Sequence, residues 1–185
     1  HSFEAYFVDK FHPMADGIAL ESMYLAKSYL LKAFRDGGDI EARTMMFAAS
    51  LMGAVAVQKG LGATHSIAHA LGALYNIHHG LANAVILPYV MAYNRPAIEH
   101  KASRVASTLG IGNGFTGLLD WVLSFRSDLE IPHTLAELDV DTTDCKMIGL
   151  KAHADPSTAA NPRTMAPEAM EEIFVAAVDG NLDFG

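Results

Sequence analysis

The stretch Gly60–Pro88, GLGATHSIAHALGALYNIHHGLANAVILP, decides the reading of this chain, because it holds four of the nine histidines: His65, His69, His78 and His79. Imidazole is a common metal ligand and the usual acid–base group near neutral pH. His65 and His69 are spaced i, i+4, which on a helix places both rings on one face, one turn apart. THSIAHALGALY is Ala-rich and apolar enough to be that helix, with Thr64 as its expected N-cap. Asn76–Gly80 reads as a turn that brings His78 or His79 back towards the helix before a second apolar segment, LANAVILPYVMAYN, begins. One histidine on an apolar face is ordinarily a hydrogen-bonded core residue. Two on one face plus a third delivered by a turn point to a metal or catalytic site. Spacing alone suits Zn2+ and non-haem Fe2+ equally.

Composition narrows the classes around that cluster. The 185 residues are 51% hydrophobic and 18% charged, enough for one domain with a sizeable core. The charged fraction is below the ~25% of ordinary soluble domains, which fits a well-filled helical core or a surface that packs on another domain or subunit. With a net charge of -8 and no basic stripe, nucleic acid is not an expected partner. Cys145 is the single cysteine, so no disulfide forms within the chain and a cytoplasmic location is expected. No uninterrupted apolar run reaches ~18 residues, so no membrane span is expected. The first residue is His1 and not Met, and the chain is expected to be a fragment, a processed product or a trimmed chain.

Outward from the histidine stretch the pattern is helical throughout. HSFEAYF opens on a helix-like segment. Pro13 to about Asp36 is the first long amphipathic helix, punctuated by Pro at its start and Gly37-Gly38 at its end, with Asp16 as a first-turn acid facing the helix dipole. Asp39 caps the next helix, whose Met45, Met46 and Met52 are expected in the core. Leu81–Tyr93 is an apolar helix kinked or entered at Pro88, and Pro96 begins a separate amphipathic helix ending near Gly110. Further helices are expected over 115–130, 141–154 and 166–178, with DPSTAANPR (155–163) as a loop. No strict alternation is long enough for a strand. No phosphate loop precedes the histidine helix, since neither GxGxxG nor GxxxxGK[ST] is present. The fold expected is all-α, a single domain of about eight helices over residues 1–185.

GATHSIAHALGALYNIHHGLANAVILPYVMAYN resembles the signature of the iron-containing (group III) alcohol dehydrogenases. In that family H-x3-H-x-L-G is followed by P-H-G-x-x-N-A and L-P-x-V-x-x-x-N. Leu71, Gly72, His79, Gly80, Asn83, Ala84, Leu87, Pro88, Val90 and Asn94 match; His78 departs, standing where the family usually has Pro. At the amino end His1, Glu4, Ala5 and Tyr6 match the second half of D-A-x-x-H-x-x-E-A-Y, and Pro13 and Asp16 match N-P-x-x-D-x-x-A. Asp155 and Asn161–Arg163 match the D-x5-N-P-R close.

The resemblance covers nearly the whole chain and implies the following. The chain is the C-terminal, all-helical half of a two-domain, dehydroquinate synthase-like enzyme. Its N-terminal NAD(P)-binding domain lies outside these residues. His1, His65 and His79 ligate Fe2+, or Zn2+ in its place, together with an Asp that would lie just before His1. His69 lines the site as an orienting or proton-relay group. The substrate is a small alcohol or aldehyde, and a homodimer is plausible for the family. Taken alone, the chain is expected to bind metal weakly and to turn nothing over. Two other readings stand beside this one. The first is a stand-alone, non-catalytic helical metal-binding or interaction module. The second is a metal hydrolase, which lacks the H-E-x-x-H motif because Ser66 follows His65.

Overall fold

A computed structural model describes residues 1–184; Gly185, the last residue of the expected domain, lies outside the described residues. Among the described residues the chain forms eight α-helices and no strand. These are α1 (Ser2–Phe7), α2 (Pro13–Arg35), α3 (Ile40–Ala56), α4 (Ala63–Tyr75), α5 (His79–Thr108), α6 (Gly114–Asp128), α7 (Cys145–Ala154) and α8 (Pro167–Asp179), with short 3-10 turns at Val57–Lys59, Ala136–Leu138 and Pro156–Ala160.

Helix α5 is the spine. Its first half packs Ala82, Val85, Ile86 and Tyr89 with α4, α7 and α8, around Ile67, Leu71, Ile148, Ile173 and Phe174. Its second half packs Met91, Ile98, Ala102 and Val105 with α1, α2 and α6, around Tyr6, Ala19, Met23, Phe115 and Leu118. The sequence suggests a helix over Leu81–Tyr93, kinked or entered at Pro88, and a separate one beginning at Pro96; the structure runs one helix through both prolines. A proline inside a helix costs about 3 kcal/mol through its missing N–H and ring clash. Two apolar clusters buried along the same helix outweigh that cost.

The α2–α3 hairpin closes one side. Ala19, Ser22 and Met23 meet Ala49, Gly53 and Ala56, and the Ser22 hydroxyl donates to the Ala49 carbonyl at 2.8 Å. Asp39 caps α3 as expected, accepting from the Ala42 N–H at 2.9 Å. Asp16 does more than face the helix dipole: it pairs with Lys59, a buried ammonium that also donates to the Tyr6 carbonyl at 3.1 Å. Met45, Met46 and Met52 are only half-buried, not core as expected, because the buried stripe of α3 is made of small residues. The outer face of the hairpin carries exposed Phe47, Leu51 and Val55. By length and composition alone Ile40–Lys59 is apolar enough to cross a membrane, although charged and polar residues keep it from being an unbroken apolar run.

Candidate metal centre

The histidines converge where α1, the start of α4 and the start of α5 meet. His65 and His69 project from successive turns of α4, whose N-cap is Gly62; Thr64 is therefore inside the first turn and not the cap, and its hydroxyl oxygen is buried without a partner. Helix α4 ends on Asn76 in the left-handed conformation (φ 55°), and three residues later α5 opens at His79. His78 caps that opening with φ -55°, a value that proline's ring also imposes, so the departure from the family's Pro leaves the turn's shape unchanged.

The rings stand as a file. The centroids of His1 and His65 are 5.0 Å apart, those of His65 and His79 5.4 Å, and those of His69 and His79 5.3 Å. The turn thus delivers His79, not His78, to the face shared by His65 and His69. Metal–nitrogen bonds of about 2.0–2.1 Å place the ring centres of imidazoles that share one tetrahedral ion roughly 5 Å apart. The cluster has that spacing. As they stand, however, the rings of His1 and His65 are stacked at 11°, and among the described residues no three His, Cys, Asp or Glu donors are gathered closely enough to hold an ion. The donor chemistry fits a divalent metal; the closed coordination shell is not formed by these groups in this arrangement.

The carboxylates that orient the rings were not singled out by the sequence. Glu4, 7% exposed, bonds Nδ1 of His65 through Oε2 and accepts the Thr64 N–H at 2.7 Å through Oε1. Burial alone would raise its pKa, but the bonds from His65 and Thr64 outweigh burial and hold the carboxyl below its ordinary value. A carboxylate on one ring nitrogen leaves the other to face a ligand, the usual support of a metal-bound histidine. Asp155 does the same for His69, accepting from Nδ1 at 2.8 Å while its other oxygen accepts the Ser157 N–H at 2.8 Å. The His69 side chain is 46% exposed, the more open of the two. Burial, then the charges of the neighbouring histidines, lowers the pKa of His79, which favours the neutral imidazole that binds metal. The signal available in the sequence was the acid of E-A-Y and the Asp opening the NPR loop, both matched and neither given a role.

Asn94 and Asn161, also matched residues, lock the frame. Their amides exchange two bonds of 3.0 Å, and Asn161 Oδ1 also accepts the Ala63 N–H at 3.2 Å, fixing the start of α4.

A family model described as the Fe-containing alcohol dehydrogenase family, C-terminal, matches residues 1–178. The chain is 33% identical over 96% of its length to a NAD-dependent methanol dehydrogenase of Bacillus methanolicus, covering 49% of that protein. It is 43% identical over 52% of its length to a 4-hydroxybutyrate dehydrogenase of Cupriavidus necator, covering 27% of it. A crystal structure of a 1,3-propanediol oxidoreductase superposes with a TM-score of 0.92 at 32% identity over 96% of this chain and 48% of that one. The chain thus spans about half the length of the full-length relatives it matches along its whole course.

Proposed function

The chain belongs to the iron-containing alcohol dehydrogenase family, and from that membership we propose that it is the metal-binding half of an enzyme that interconverts small alcohols and aldehydes with a nicotinamide cofactor. The observation that supports this most directly is the file of His1, His65, His79 and His69 rings backed by Glu4 and Asp155. In this reading His1, His65 and His79, joined by a carboxylate from preceding residues, hold Fe2+ or Zn2+. When bound, the metal supplies Lewis-acid stabilisation to an alcohol oxygen. Glu4 fixes the tautomer and direction of His65. His69, tethered by Asp155 and partly open, relays the hydroxyl proton towards solvent. The nicotinamide belongs to an N-terminal domain, which accounts for the half of each relative that this chain does not cover. A cytoplasmic location is part of the same reading, resting on the single Cys145.

Elemental analysis and turnover of the full-length protein, with and without His79→Ala, test the proposal. About one equivalent of metal and metal-dependent NAD(P)H formation from 1-butanol are expected, both lost in the variant. Turnover that survives complete metal removal refutes it.

A further inference from the structure

Three buried side-chain atoms among the described residues have no hydrogen-bond partner: Thr64 Oγ1, Asn83 Oδ1 and Arg126 Nε. All three residues line one cavity of about 380 Å3, which also takes in His1 and His65. Buried polar groups are nearly always paired, and three exceptions carried by residues of one cavity wall single that wall out, although the orphaned atoms themselves are enclosed.

Arg126 is the unusual member. It sits on α6 with 4% of its surface exposed, yet no Asp or Glu among the described residues forms an ion pair with it. Its Nη1 donates to the Val85 carbonyl and its Nη2 to His133 Nδ1, each at 2.9 Å. Burial weighs most on it; Tyr89, whose ring centre lies 6.0 Å from its Cζ, is its aromatic neighbour, and Glu137 acts on it through charge, but that carboxylate is exposed and already taken by the His133 and Thr134 amides and the Thr134 hydroxyl. A guanidinium has five N–H groups, and a buried one is ordinarily matched by a carboxylate or phosphate. Around it the cavity wall is apolar, built from Leu87, Trp121, Val122 and Phe125. The space therefore offers a cation, an apolar sleeve and the metal-site histidines together.

We propose that Arg126 binds the carboxylate of the substrate, which is a short-chain hydroxy acid or the corresponding aldehyde acid. This rests on the dehydrogenase reading above. In the oxidation the carbinol C–H leaves as hydride to NAD(P)+, the hydroxyl proton goes to solvent, and the carboxylate stays unchanged on the guanidinium.

The test uses the full-length protein, with metal and NAD(P)+, on 4-hydroxybutyrate and 1-butanol, which differ by a carboxylate in place of a methyl. Butyrate binding is measured separately by calorimetry, without turnover. Because Arg126 also braces the Val85 carbonyl, the variants are Arg126→Gln, which keeps a donor, and Arg126→Lys, which keeps the charge. The expected result is a ratio of kcat/KM that favours the hydroxy acid by about a hundredfold in the wild type and collapses in Arg126→Gln, with Arg126→Lys between. Butyrate binds the wild type and not Arg126→Gln. A structural role alone would lower both substrates together and leave the ratio standing, which would overturn the proposal. So would a wild-type preference for 1-butanol, or no butyrate binding, and those two results decide the matter if Arg126→Gln does not fold. Butyrate held through Arg126 with neither alcohol oxidised would sink the dehydrogenase reading and support the carboxylate site.

Discussion

Glu4 bonds two consecutive residues of α4 at once, Thr64 through its backbone N–H and His65 through Nδ1. The sequence separation is sixty residues or more, so the contact ties the amino-terminal helix to the histidine helix and sets the direction of one ring. Glu4→Gln keeps an acceptor for the Thr64 amide but removes the charge that supports His65. Metal affinity, read by competition with a chromogenic chelator, is expected to fall 10- to 100-fold. The helical circular dichroism should stay unchanged. Equal affinity in the variant would mean that His65 is oriented by packing alone.

His78 offers a stability test at the same turn. Its φ of -55° suits proline, and among the described residues its N–H makes no backbone bond. His78→Pro is expected to stabilise the fold by about 0.4–1 kcal/mol by narrowing the unfolded ensemble. Urea denaturation measures it. A loss of stability would show that Ile77, which must then be extended, is strained by the ring.

Much of this molecule is legible in its sequence because its signals are local. The pairing of His65 with His69, the cap at Asp39 and the turn opening at Asn76 follow from spacing and residue type. The continuity of α5 through Pro88 and Pro96 is not local: it is decided by two apolar clusters assembled from seven other helices. The same holds for Glu4, Asp155 and Arg126. Each acts on a group 41 to 86 residues away, and nothing in its own neighbourhood announces the partner.

Tyr75 gives the fold an alkaline limit. Its hydroxyl donates to Asp144 at 3.0 Å. Burial, then the bond and charge of Asp144, push its pKa from 10.0 to about 12. Below pH 10 the phenol is protonated in both states and contributes no pH dependence. Above it the unfolded chain releases the proton while the folded chain keeps it, so stability falls as pH rises towards about 12. The urea midpoint should drop across that window, and the drop should be smaller in Tyr75→Phe. An identical slope in the variant would assign the alkaline limit to other groups.

The Asn94–Asn161 pair should behave as one unit. Their two mutual bonds of 3.0 Å join α5 to the loop that follows α7, and Asn161 also holds the first amide of α4. Truncating either side chain strands the other amide in a partly buried place, at a cost of about 1–3 kcal/mol for the unsatisfied groups. Asn94→Ala and Asn161→Ala are therefore each expected to destabilise the fold by that order. The double variant should cost less than the sum by roughly 0.5–3 kcal/mol, since the second truncation removes a group already orphaned. Asn161→Ala should be the worse single change, because it alone also frees the Ala63 N–H. Strict additivity in the double-mutant cycle would show that the two amides are braced independently, and that the start of α4 is positioned by Glu4 and packing without them.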